Sequence, residues 1–192
     1  MTMNRRYDLV AMALHWLLAA SLIGMVFYGW YMEGLREAAL SGGGVSFADV
    51  QAAYNGHKTF GMIILSLSLV RLGWRLTHTP PALPAGMKNW ERRVASATHW
   101  AFYALMIGMP LGGWLGSSAS PFPSLMFNNP DLVLPKLPIP QDEVLETTIL
   151  SLHGAGGWAI LLLTALHAGA ALKHQFVDRD NLLARMIPFL KD

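Results

Sequence analysis

The 192-residue chain has no cysteine. That absence excludes a disulfide framework, an iron–sulfur cluster, a thiolate zinc site and haem attached through C-x-x-C-H. Charge is scarce as well. Asp, Glu, Lys and Arg supply 14% of the residues, where a soluble domain has about a quarter. Basic residues number 14 and acidic ones 12, for a net charge of +2. The sequence pI of 9.0 therefore reflects no basic patch, and a nucleic-acid-binding protein is excluded. What is abundant is apolar: 53% of residues are hydrophobic and the mean hydropathy is +0.36. This is the composition of an integral membrane protein, embedded in a lipid bilayer. Seven histidines in so apolar a chain need a reason.

Leu9–Tyr31, His57–Leu76, Ala95–Gly116 and Leu152–Leu172 each approach or exceed the roughly 20 residues needed to cross a bilayer. Lipid offers backbone groups no partners, so each is predicted as a helix; a strand barrel would need short alternating segments, which are absent. The expected fold is all-α, an integral membrane four-helix up-and-down bundle forming one domain over residues 1–192. Arg5 and Arg6 before the first run could open a twin-arginine or secretory leader. The run is too long for a leader's apolar core and carries His15, so it reads as a retained first helix. The remaining segments read as loops: Glu33–Gly56 with a short helix from Phe47 to Tyr54, Thr77–Arg93, and Ser117–Leu150 with its six prolines.

Basic residues set the direction. Arg5, Arg6, Arg71, Arg75, Lys88, Arg92, Arg93, Lys173, Arg179, Arg185 and Lys191 fall on one side; Arg36, Lys58 and Lys136 fall on the other. Eleven against three puts both termini in the cytoplasm.

Ionisable groups within a membrane are costly, and so each is a functional candidate. Chain direction places His15 near the inner face, His57 at the outer, His99 near the inner, His153 near the outer and His167 deeper towards the inside. Fourteen residues separate His153 from His167. At 3.6 residues per turn that interval returns to within about 40° of the same helix face, about 21 Å along the axis. His57 can meet His153 at the outer level and His15 can meet His167 at the inner. Two imidazole pairs at two heights suit two stacked haems inside a bundle. A zinc or di-iron centre would want carboxylates, and no Asp or Glu lies within the four runs. Histidines also serve as interhelical hydrogen-bonding residues, which explains one such residue better than four that pair by level.

His99 is open to either use: it can replace an inner ligand, or serve a neighbouring quinone site. His78 lies in a loop and is expected to be solvated, as is His174 beside Lys173. Glycines near His57 and His153, namely Gly61, Gly154, Gly156 and Gly157, leave room for either a flat macrocycle or close helix contact. Gly108, Gly112 and Gly116, spaced by four, read as helix packing. The seven tryptophans read as interfacial anchors.

Several motifs run together in order. They are Tyr7-Asp8, Met12-Ala13-Leu14-His15-Trp16-Leu17, His57-Lys58-Thr59-Phe60-Gly61, Val70-Arg71-Leu72 with Arg75, and Pro80-Pro81. His153, Leu166-His167-Ala168 and the run from Asp180 to Pro188 complete them. In these the chain resembles the bacterial cytochrome b561 family over nearly its whole length. The resemblance implies a four-helix b-type cytochrome with two haem b groups in the bacterial inner membrane. It implies ubiquinone as electron acceptor, and superoxide oxidation as an activity of the family. It also sets Arg71 and His174 at positions near the inner haem and the quinone site.

Three readings follow. The first is an enzyme, a superoxide:ubiquinone oxidoreductase, or one taking electrons from another periplasmic reductant. The second is a haem-containing anchor that accepts electrons from a partner dehydrogenase subunit. The third, a haem-free transporter or channel, lacks a filter-like polar run. An enzyme that collects superoxide should attract an anion. Glu33, Glu37, Asp49, Asp131, Asp142, Glu143 and Glu146 make the outer segments acidic instead, with Lys58 beside His57 the local exception.

Overall fold

The computed structural model describes residues 6–84 and 86–190. Arg5 and Lys191, counted above among the inner basic residues, lie outside the described residues. Four long helices account for most of the chain: α1 Leu9–Leu40, α2 Phe47–Thr77, α3 Asn89–Ala119 and α4 Glu143–Lys173. Three begin on acceptors that take a first-turn backbone N–H. Asp8 receives Ala11, Ser46 receives Asp49 and Asp142 receives Leu145.

The helices outrun the apolar stretches that predict them. At 31 or 32 residues each is about 47 Å long, against about 30 Å of hydrocarbon. Glu33–Gly56 is accordingly no loop. α1 continues to Leu40, and the short helix expected from Phe47 is the opening of α2. Extending an existing helix costs little per residue, so polar residues such as Glu33 and Glu37 stay helical beyond the apolar limit. Gly42 and Gly44, at φ +76° and +77°, make the turn that follows.

By length and apolarity α1, α2 and α4 can cross a membrane. α3 is as long, but Pro110, its glycines and its tryptophans dilute its apolar run, so composition supports three crossings where four are expected. Its packing completes the bundle nonetheless. α1 lies against α2, α2 against α3, α3 against α4 and α4 against α1. Arg71 reaching His15, and Tyr28 reaching Ala53, make the first pair antiparallel. His99 beside His167, and Met109 beside His153, do the same for the third. The result is an up-and-down ring.

Leu18, Leu22, Ile64, Tyr103, Met106 and Ile160 fill its middle. Ile160 is the one buried residue of α4, while Leu152, Leu162 and Leu166 are exposed. An apolar exterior around a thin core suits a lipid-facing bundle.

Both ends are closed by chain. At the end joining α1 to α2 and α3 to α4, called outer after the charge bias, residues 120–142 form an ordered cap. The cap carries a lone antiparallel bridge, Leu125 to Val133. Buried Asn55 accepts the Leu125 N–H at 3.1 Å and donates to Asn128 at 3.0 Å. Thr59 accepts the Phe127 N–H at 2.9 Å, and Trp114 donates to the Pro135 carbonyl. At the other end the tail folds back. Trp16 donates to the Met186 carbonyl at 2.8 Å, Arg6 to that of Ile187 at 2.6 Å, and the Tyr7 N–H to that of Arg185.

Asn55→Ala strands the Leu125 N–H and the Asn128 side-chain oxygen, while the Asn128 NH2 keeps the Ala52 carbonyl. Losing such buried partners costs about 1–3 kcal/mol, equivalent to opening the cap roughly 5- to 150-fold more often. Tryptic cleavage after Lys136 should speed up by that factor in the folded protein, with cleavage at the inner end unchanged.

Candidate functional site

Histidines meet at two levels within the ring. At the outer level the rings of His57 on α2 and His153 on α4 have centres 6.0 Å apart and planes 75° apart. Tyr28 of α1 stacks almost parallel on His57, its ring 6.1 Å away. Nδ1 of His153 lies 3.0 Å from the Met109 carbonyl. A carbonyl only accepts, so Nδ1 carries the proton and Nε2 is left bare. Nδ1 of His57 is buried without a partner.

At the inner level three imidazoles converge. His15 of α1 stands 6.2 Å from His167 of α4, at 62°, and His99 of α3 stands 5.7 Å from the same ring, at 68°. Trp16 packs edge-on to His15, and Phe102 to His167. Arg71 of α2 approaches Nδ1 of His15 at 3.2 Å, lies near Tyr103 and reaches the Ala11 carbonyl at 3.4 Å. A guanidinium only donates, so here Nδ1 of His15 is the acceptor. The apolar layer from Leu18 to Ile160 lies between the two levels, with Ile160 seven residues from both His153 and His167.

These separations can be set against a metal. An ion about 2 Å from a nitrogen of each of two facing imidazoles holds ring centres about 6.3 Å apart. All three observed separations lie close to that. The donors are imidazoles without carboxylates, the five rings are half-buried rather than sealed by side chains, and one buried ring nitrogen is unsatisfied. The residues present therefore fit haem held between paired histidines.

The other expected site residues lie apart from this line. Lys58 follows His57 on α2, is half-buried, and feels the charges of Glu146 and Lys136. His174 is buried, not solvated as expected, in a π-helical turn over His174–Asp178 that ends α4. Its Nδ1 donates to Asp180 at 2.7 Å and lies 3.1 Å from Asp178. Lys173 joins Asp178 to Glu91 of α3, at 2.8 and 2.9 Å, and its ammonium holds the Glu91 carboxyl below its ordinary pKa. His78 is exposed and stacks on Trp74.

Sequence reasoning misses Tyr28, the Met109 carbonyl and Gly113. A Cβ on Gly113 would stand 3.0 Å from the His153 ring. Pro110, three residues earlier, is the one local signal that this stretch of α3 is special. Gly154, by contrast, is exposed and faces open space, so it cradles nothing within the bundle. Gly116 packs against Leu150 and Ile149, as its spacing suggests, but Gly108 and Gly112 meet nothing within 4 Å, so the spacing of four marks no continuous packing stripe.

Comparison with known proteins adds a lineage. The pattern of the family described as prokaryotic cytochrome b561 matches residues 6–189. Cytochrome b561 homolog 2 of Escherichia coli is 28% identical over 184 residues, covering 95% of this chain and 91% of that protein. The "Probable superoxide oxidase CybB" of Yersinia pestis is 27% identical over 97% of this chain and 98% of its own length. Cytochrome b562 of Cereibacter sphaeroides is 26% identical, with the same coverage of both chains.

Proposed function

The chain belongs to the prokaryotic cytochrome b561 family, and on that footing we propose that it moves electrons through two b haems, from superoxide outside the inner membrane to ubiquinone at the cytoplasmic end. Membership makes it a bacterial membrane oxidoreductase that carries b-type haem. The observation that carries the finer reading is the pair of facing-histidine levels with a packed apolar layer between them.

His57 and His153 hold the outer haem; His15 and His167 hold the inner, with His99 the alternative to His15. Bound haem supplies a one-electron carrier at each level. All four helices cross the membrane as one domain over residues 1–192, with both termini cytoplasmic. Each superoxide gives up one electron and leaves as dioxygen. Two electrons and two cytoplasmic protons convert ubiquinone to ubiquinol. Lys58, beside His57, attracts the incoming anion.

Arg71 has two roles in this reading. In the structure it donates to Nδ1 of His15. Binding through Nε2 leaves the proton on Nδ1, which can no longer accept. The guanidinium then turns to another acceptor, a haem propionate or a quinone carbonyl. His174, held by Asp180 at the end of α4, is assigned the passage of protons to the quinone.

One observation favours the partner-anchor reading. The outer end is acidic, and the cap exposes Phe122, Leu132 and Val133. A docked dehydrogenase subunit would use both features.

A superoxide pulse decides between the two. Purified protein should carry two haems per chain, and the pulse should reduce them within mixing time in detergent. Salt should slow that reduction as the Debye length shrinks from about 10 Å at 0.1 M to about 3 Å at 1 M. No reduction would transfer the function to a partner dehydrogenase. A rate rising with salt would mean the acidic segments repel the anion and Lys58 does not guide it.

A further inference from the structure

The two outer histidines are held unequally. His57 lies under Tyr28, a Cβ added to Gly29 would stand 3.6 Å from its Cε1, and its buried Nδ1 has no partner. His153 is held through its Nδ1, 3.0 Å from the Met109 carbonyl on the neighbouring helix. That approach depends on a missing side chain. A Cβ on Gly113, one turn along α3 from Met109, would stand 3.0 Å from Cε1 and 3.4 Å from Nδ1 of His153. Adjacent Gly112 has nothing within 4 Å of an added Cβ. The two glycines share a helix and a level, yet only one opens a slot for the imidazole.

We propose that Gly113 and the Met109 carbonyl are the positioning device of the outer site, seating His153 by one hydrogen bond so that Nε2 points to iron and the ligand field is supplied mainly from the α4 side. The inference rests on His153 being an outer ligand. An acceptor on the remote ring nitrogen raises the basicity of the ligating one and fixes the ring plane. A more basic imidazole favours ferric over ferrous iron, so the hydrogen bond lowers the outer potential. His57, with no such partner, contributes no matching effect. Gly113 thus acts through His153.

Gly113→Ala should move the ring by a few tenths of an ångström and stretch the hydrogen bond. Loss of a contact of this kind costs about 10- to 100-fold in metal affinity. A tenfold loss borne by the ferric form alone is a rise of about 59 mV in a one-electron potential.

The experiment is a redox titration of the full-length, haem-loaded protein with low-temperature EPR, on wild type, Gly113→Ala, Gly112→Ala and His153→Ala. EPR of the ferric haem reports the mutual angle of its two axial rings, 75° here. Expected is a higher outer potential and altered outer EPR in Gly113→Ala, with Gly112→Ala like wild type and the inner haem constant. An unchanged outer haem in Gly113→Ala overturns the inference, as does an equal change in Gly112→Ala. His153→Ala separates the two levels of the argument. If it keeps the outer haem, the ligand assignment itself fails; if it loses that haem while Gly113→Ala is silent, only the positioning device fails.

Discussion

His153→Ala should leave one haem per chain where the wild type has two, and the haem that remains should be the inner one. The ring of His153 stands 6.0 Å from that of His57, and the apolar layer parts this pair from the inner cluster. Neither remaining outer group can substitute. Tyr28 stacks on the face of His57 rather than opposite it, and Lys58 is a cation. His57→Ala should give the same spectrum. The inner level differs in that His15 and His99 both face His167, at 6.2 and 5.7 Å. His167→Ala should therefore abolish the inner haem, and His15→Ala should abolish it too, His15 being the assigned ligand and His99 the alternative. The double variant His153→Ala with His167→Ala should be haem-free. Haem-to-protein ratios and reduced-minus-oxidised spectra measure each outcome. Two haems in the His167 variant would refute the pairing, and an intact inner haem in the His15 variant would give the axial role to His99.

Arg71→Ala should slow reoxidation of the reduced haems by a soluble ubiquinone analogue about ten- to hundredfold. That range follows from the roughly 1.5–3 kcal/mol of a hydrogen bond to a charged group. Arg71 is half-buried beside His15, with Tyr103 near and the Ala11 carbonyl as its other partner. A full positive charge so placed, with no carboxylate among its hydrogen-bond partners, is costly unless an anionic or carbonyl oxygen joins it. Reduction at the outer side should be nearly unchanged, because His57 and His153 lie beyond the apolar layer. Stopped-flow traces of the two half-reactions separate the effects. Wild-type reoxidation with both haems present would make Arg71 a headgroup-binding residue and place the quinone elsewhere.

The ring and the meeting of the histidines were legible because they depend on period and depth alone. Fourteen residues between His153 and His167 make nearly four turns, and opposite chain directions bring His57 and His15 to matching heights. What stayed hidden depends on contacts without a period. Hydropathy marks where lipid ends rather than where a helix ends, so the polar continuation of α1 past Tyr31 reads as loop and the start of α2 at Phe47 reads as a short separate helix. Prolines in residues 120–142 exclude regular structure. They do not reveal that Asn55 and Thr59, two residues either side of His57, hold that segment down. Arg71 could be placed at the inner level, but its bond to a histidine instead of an acid could not. His174 was read as solvated from its neighbour Lys173, whereas Asp178 and Asp180, four and six residues on, fold back to enclose it.

One feature of the ring bears on how the protein is made. Each level takes a histidine from α4, the last of the four helices to leave the ribosome: His153 for the outer and His167 for the inner. A nascent chain that has delivered its first three helices already contains His15, His57 and His99, yet His57 lacks its facing ring and the other two lack theirs. The outer level waits for residue 153 and the inner for residue 167. A chain stalled or truncated before Glu143 is left without either pair, so capture of a redox group waits for the chain that can insulate it.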